Sequence, residues 1–275
     1  MSRLLSAGLI RLKKSKLFWL FCGLMFALGL FFPASLYLQA QKYNLATTID
    51  QTFFSHVMYM GVISAVFVSL FIGTEYSDGA IRNKLMIGHS RISIYFSNLI
   101  LCMTATLFIS VSYMIPNAAA GILLLGSFAL DPKTVIILVF CLLCISFTIT
   151  ALFTMAAMLI HNKASIAVAT ILAAFLLLFA ASYLAASLSQ PKELPNYMLT
   201  ADGEVKQGEP VPNRRYLSGT KRQAYQFLLE FLPQGQSLLL TSGELPVKNA
   251  LVYDGIIAVF ATGLGVLGFR KKDIK

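Results

Sequence analysis

An all-α polytopic membrane protein is the fold class this sequence predicts, and three observations predict it. Of its 275 residues 57% are hydrophobic and only 12% are charged, with a mean hydropathy of +0.74, outside the range of a soluble globular domain. The apolar residues gather in runs long enough to cross a ~30 Å hydrocarbon layer at ~1.5 Å per residue. The net charge, finally, falls on one side of those runs. The runs place six transmembrane helices at 17–38, 53–73, 95–125, 133–160, 164–188 and 251–269, within a single transmembrane domain spanning 1–275. A loop at 189–250 is the one long polar stretch, and no nucleotide-binding domain fits in the remainder.

The formal charge of +10 raises the question of nucleic acid, and its distribution answers it. With the N-terminus inside, 13 basic residues face 3 acidic ones on the inner side, a net of +10, whereas the outer side carries nine of each sign. The basicity is therefore topological, as the positive-inside rule requires of a chain with both termini in the cytoplasm. No basic patch interleaved with stacking aromatics is present, so nucleic acid is not an expected partner. Anionic lipid headgroups and a cytoplasmic protein partner fit better.

Taken in order, residues 1–16 carry Leu4, Leu5, Gly8, Leu9 and Leu12 on one side with Arg3, Arg11, Lys13 and Lys14 around them, the composition of an interfacial helix. A cleaved signal peptide with a site near Ala40 is the competing reading. The apolar run from Leu17 to Leu38 exceeds an ordinary signal core, and five spans follow it. The first span holds Gly23, Gly29 and Pro33 and the second Gly61 and Ser64, small residues that allow close helix approach in lipid, with Pro33 able to kink its span. Trp19 and Tyr37 take interface positions near its two ends. The third span contains Pro116 and Asn117 and is too long to be straight, so a kink or a helix, break, helix arrangement is expected. Asn117 is expected to bond backbone freed by that kink, the alternative being a substrate path. Asp131-Pro132 turns the chain into the fourth span. The tight link Ile160-His161-Asn162-Lys163 joins it to an Ala-rich fifth span suited to close packing, and His161 is read as solvated.

In the loop, Pro191, Pro195, Pro210 and Pro212 mark an extended first half. The second half, with Tyr225 to Leu232, a Pro233-Gln-Gly235 break and Leu238 to Leu240, predicts two short apolar helices that enter the outer leaflet without crossing it. Cys22, Cys102, Cys141 and Cys144 all fall inside spans, where packing is the expected role.

The segment 74–94 is a polar island between two apolar runs. Ser77 or Asp78 can cap a short helix carrying Ala80, Ile81, Leu85 and Met86 at helical spacing, Gly88 can end it, and Ser90 can cap the next span. The string Gly73-Thr-Glu75-Tyr76-Ser77-Asp-Gly79-Ala-Ile81-Arg82-Asn83-Lys84-Leu85, with Gly88 and Ser90-Arg91 after it, closely resembles the loop following the second span in ABC-2 type permeases, the membrane subunits of bacterial exporters similar to those for peptides and antibiotics. The ending Phe269-Arg270-Lys271-Lys272-Asp273-Ile274-Lys275 resembles that family's usual one. Ala80 departs from it, since the family usually has Thr there. The resemblance implies that this loop is a cytoplasmic coupling helix resting in a groove of a separate ATPase. Glu75, Tyr76, Ser77, Gly79, Ile81, Arg82, Asn83, Lys84 and Leu85 would form the element, with Arg82 and Lys84 offering charge and Ile81 and Leu85 an apolar anchor. It further implies two ATPase copies, which hold ATP and Mg, a second permease subunit, a bacterial plasma membrane, and an exported substrate that is hydrophobic or amphipathic, such as a bacteriocin, a lipid-linked antibiotic or a small drug.

The chain itself supplies no engine. No stretch matches GxxxxGK[ST], no HExxH occurs, and Gly88-His89-Ser90 lacks the strand of a nucleophile elbow, so Ser90 is expected to cap a helix. The spans hold essentially no acidic residue except Asp254, which disfavours ion-coupled transport. Two other classes stay in view: a membrane sensor or scaffold that holds a partner without transport, and an intramembrane enzyme, for which catalytic residues are wanting.

Overall fold

The computed structural model describes residues 1–160, 162–199 and 205–272. His161, read as solvated, and Asp273 to Lys275 of the basic ending lie outside the described residues. Among the described residues six helices are long and apolar enough to cross a membrane: α2 (Lys16–Tyr43), α4 (Val57–Ser77, continuing the short α3 at Asp50–Phe53), α6 (Arg91–Leu125), α7 (Pro132–Leu159), α8 (Lys163–Leu188) and α11 (Val247–Lys271). Each is apolar around its circumference, as a lipid-embedded or fully buried helix must be. Four of the starts are set by side-chain caps: Ser15 Oγ accepts from Phe18 N–H at 3.3 Å, Ser90 Oγ from Ser93 N–H at 3.2 Å, Asp131 Oδ2 from Thr134 N–H at 3.2 Å and Asn162 Oδ1 from Ala164 N–H at 2.8 Å.

The helices differ sharply in how much protein surrounds them. In α4, 67% of the apolar window is buried, against 28% in α2 and 22% in both α8 and α11. The second span is thus the centre of the bundle, packed on α7 and α8, while α2 lies along α6 and α11 along α7 at the perimeter. Gly29 in α2 makes the α2–α6 approach possible, because a Cβ there would stand 2.6 Å from the Tyr113 carbonyl oxygen and 2.8 Å from the Pro116 ring.

Several expectations are corrected. α6 runs unbroken for 35 residues through Pro116, which removes the helix, break, helix alternative, while α2 continues through Pro33 in line with a proline that does not break its span. Asn117 bonds side chains and not freed backbone: it is fully buried, donates from Nδ2 to Tyr113 Oη at 3.2 Å and accepts at Oδ1 from Thr52 Oγ1 at 3.3 Å. The N-terminal helix α1 (Ser2–Lys14) turns Leu4, Gly8 and Leu12 inward against α6 and leaves Leu9 and Ile10 exposed. The loop's extended half is a hairpin, β1 (Glu193–Leu199) antiparallel to β2 (Val205–Pro212), with a register shift between Leu194 and Asn196. Pro195 and Pro210 sit at that irregularity, Pro212 ends β2 and Pro191 precedes β1, all positions a two-stranded sheet leaves open to proline. The two short helices are present as α9 (Gly219–Phe231) and α10 (Pro233–Ser242). α10 is seated against α4, α7 and α8, where Gln234 Nε2 donates to the Met58 carbonyl at 2.8 Å.

Candidate functional site

The polar island forms a tip on the α4–α6 hairpin. α4 ends at Ser77, the chain reverses at Gly79 with φ 68°, and the seven-residue α5 (Ala80–Met86) follows. Gly79 itself is the N-cap residue. Neither Ser77 nor Asp78, the two expected caps, bonds the start of α5; Ser77 donates its hydroxyl back to the Thr74 carbonyl at 3.1 Å and to Asp78 Oδ1 at 3.2 Å. α5 closes with paired reverse bonds, Gly88 N–H to Leu85 O at 3.0 Å and His89 N–H to Lys84 O at 3.1 Å, with Gly88 at φ 93°. Left-handed φ at both ends explains why glycine stands at 79 and 88.

At the base of this tip lies a charged cluster. The Glu75 side chain is 2% exposed, and its Oε1 takes both the Arg11 guanidinium and Lys84 Nζ, the latter at 2.5 Å, while Oε2 accepts from Asn98 Nδ2 at 2.9 Å. Arg11 also lies over the Phe71 ring, 3.8 Å from its centroid. One carboxylate therefore joins α1, α4, α5 and α6. A buried carboxylate is tolerated only when it is paired and hydrogen-bonded, and here it is both. Ile81 is buried at 1% exposure and Leu85 is half-buried against the same core. Glu75, Ile81, Lys84 and Leu85 thus hold the tip from within, whereas Arg82, Asn83, Met86 (67% exposed) and Ile87 (78% exposed) form its outward surface.

A second anchor holds the C-terminal end. Lys272 Nζ donates to Tyr76 Oη at 2.8 Å, to the Met158 carbonyl at 2.8 Å and to the Ile160 carbonyl at 3.1 Å, and sits 4.2 Å from the Tyr76 ring centroid. Tyr76 Oη in turn donates to the Met158 carbonyl at 2.7 Å. Arg91 Nη1 donates to the Phe269 carbonyl at 3.0 Å and to the Lys272 carbonyl. Burial pushes the Lys272 amine from 10.5 down to about 8. Arg11 and Lys272 entered the sequence reading only as basic flanks, and Asn98 did not enter it. The available signal was Glu75 itself, an acid in the last turn of an apolar span, which needs cations from elsewhere in the chain.

A family profile for ABC-2 family transporter proteins matches residues 4–187. The chain belongs to that family. No curated protein sequence matches it. As an ABC-2 protein it is the transmembrane subunit of an ABC transporter, a multi-pass membrane protein that works with an ABC ATPase and is not itself that ATPase. The match takes in the Glu75 cluster and the whole tip and stops inside α8, so the hairpin and α9 to α11 lie beyond it. Among the described residues no group of three or more His, Cys, Asp or Glu could hold a metal ion in this ABC-2 subunit.

Proposed function

We propose that this chain is the permease subunit of a bacterial exporter, and that α5 is the coupling element through which a separate ATPase, carrying the ATP and Mg, drives it. The supporting observation is the division of labour at the tip. Arg82, Asn83, Met86 and Ile87 offer a cation and an apolar contact outward, while Glu75 ties the same seven-residue helix to α1, α4 and α6. A push on the exposed side is delivered to three helices at once, because the link is an ion-paired, hydrogen-bonded carboxylate inside protein. The reading places the tip and both termini in the cytoplasm, in keeping with the net charge of that side, and pairs two permease subunits with two ATPases. The apolar perimeter of α2, α8 and α11 suits a hydrophobic or amphipathic substrate moved outward, an antimicrobial peptide or lipid-like molecule among them.

Arg82→Glu combined with Ile87→Ser changes only exposed side chains, so folding is expected to persist while ATPase co-purification and substrate-stimulated hydrolysis fall about tenfold, the range for losing an interface anchor. Full assembly and full coupling in that variant would overturn the assignment of α5.

A further inference from the structure

On the membrane face opposite α5 the nine cations and nine acids balance, yet they are not mixed. Arg214, Arg215, Lys221 and Arg222 lie within nine residues, and no acid occurs from 210 to 229. The fold gathers the first three around one cavity. Asn213, 8% exposed, donates from Nδ2 to the Pro191 carbonyl at 2.9 Å and accepts at Oδ1 from Arg215 N–H at 2.9 Å, which pins the Arg214-Arg215 turn to the end of α8. Between that turn, the last turns of α8 and the start of α9 is a cavity of about 600 Å³, lined by Tyr183, Tyr216, Tyr225, Arg214, Arg215 and Lys221, with no acid among the described residues of its wall. Arg222 sits over the Tyr216 ring at 5.3 Å and Lys221 over the Tyr225 ring at 6.0 Å. Among the described residues none of the four cations is paired with a carboxylate. Glu230 and Glu244 line a different cavity of about 800 Å³ beside α9, and Arg222 lies in the wall of that one. Cations in the first turn of α9 are opposed by its macrodipole, so local helix stability does not account for them.

We propose that this cavity binds the phosphate of an anionic phospholipid in the leaflet at that face. Guanidinium groups bond phosphate oxygens in a two-pronged geometry, and tyrosines at the headgroup level supply hydroxyl donors on an apolar body. The site opens beside the end of a membrane-spanning helix, which puts a headgroup within reach and leaves its chains in lipid. The proposal is independent of transport and of α5.

The test is lipid retention. The protein is reconstituted in bilayers of equal phosphatidylglycerol and phosphatidylcholine, extracted in mild detergent, and its retained lipid measured by mass spectrometry. Wild type should retain phosphatidylglycerol in excess, and Arg214→Gln/Arg215→Gln/Lys221→Gln should cut that excess about tenfold, while Lys133→Gln/Lys248→Gln, at exposed cations of the same face outside the cavity, should keep it. Lys221→Gln alone gives a smaller loss of the same sign and serves if the triple variant does not fold. Retention at the bulk ratio in wild type, or an equal loss in the Lys133/Lys248 variant, overturns the proposal. So does displacement of the retained lipid by millimolar inorganic phosphate, which would mark a site for the free anion.

Discussion

Two buried polar clusters brace the ends of the same helices, and they are built on opposite principles. At the α5 end, Glu75 is held by Arg11, Lys84 and Asn98, so the cluster is ionic and carries an excess of one positive charge. At the other end, Tyr113 Oη donates to the Thr52 carbonyl at 2.8 Å, lies 3.0 Å from Ser55 Oγ and accepts from Asn117 Nδ2, and the ring stacks on His56 at 4.5 Å. That cluster is assembled from neutral groups. Both tie a short element to α6: α5 with α1 in the first case, α3 in the second. The difference teaches what each end is for. Neutral hydrogen bonds fix geometry at small individual cost, while a shared carboxylate makes three elements depend on one side chain, which is what a force-transmitting joint requires.

The largest effect is expected at the charged joint. Glu75→Ala leaves Arg11 and Lys84, both only partly buried, facing each other without their shared anion, with an expected loss of about 3 kcal/mol measured by denaturation in detergent, the low end for breaking a buried pair because both cations keep some contact with water. Adding Arg11→Met and Lys84→Met to a Glu75→Gln background should restore most of it, since no unpaired charge is left. At the neutral end, Tyr113→Phe removes one hydroxyl and leaves Asn117 Nδ2 short of its acceptor, an expected loss of about 1–3 kcal/mol in the same assay. Should Tyr113→Phe cost as much as Glu75→Ala, the charge of the inner cluster would not be what sets the two ends apart.

The sequence made the spans legible because lipid imposes a composition on every residue of a crossing helix, and that constraint is local. The turn chemistry at Gly88 and Ser90 was legible for the same reason, each depending on its own neighbours. What escaped was long-range. Glu75 and Lys84 stood in the resemblance as parts of one motif, yet which of them faces inward depends on Arg11, 64 positions away in the chain, and on Asn98. Asn117 was legible as a buried polar group but not as a partner of Thr52, because nothing in a run of apolar residues reveals which helix lies opposite. The hairpin was hidden by its prolines, which read as loop until a strand register is visible.

Lys272 sharpens the comparison, because it carries the charge of one cluster and is held like the other. Its ammonium group is surrounded by two carbonyl oxygens, a tyrosine hydroxyl and a ring face; its own carbonyl accepts from Arg91, and among the described residues no carboxylate pairs with it. With nothing negative to offset its burial, the amine is held at about 8 in the folded protein against 10.5 ordinarily. Between those values the unfolded chain keeps a proton the folded one has released, so this residue's contribution to stability rises with pH and is least below about pH 8. The melting temperature of wild type relative to Lys272→Met should therefore increase modestly from about pH 7.5 to about pH 10. A relative decrease would mean that the charge on Lys272, rather than its three acceptors, holds the end of α11 against Tyr76, making this anchor a second ionic joint.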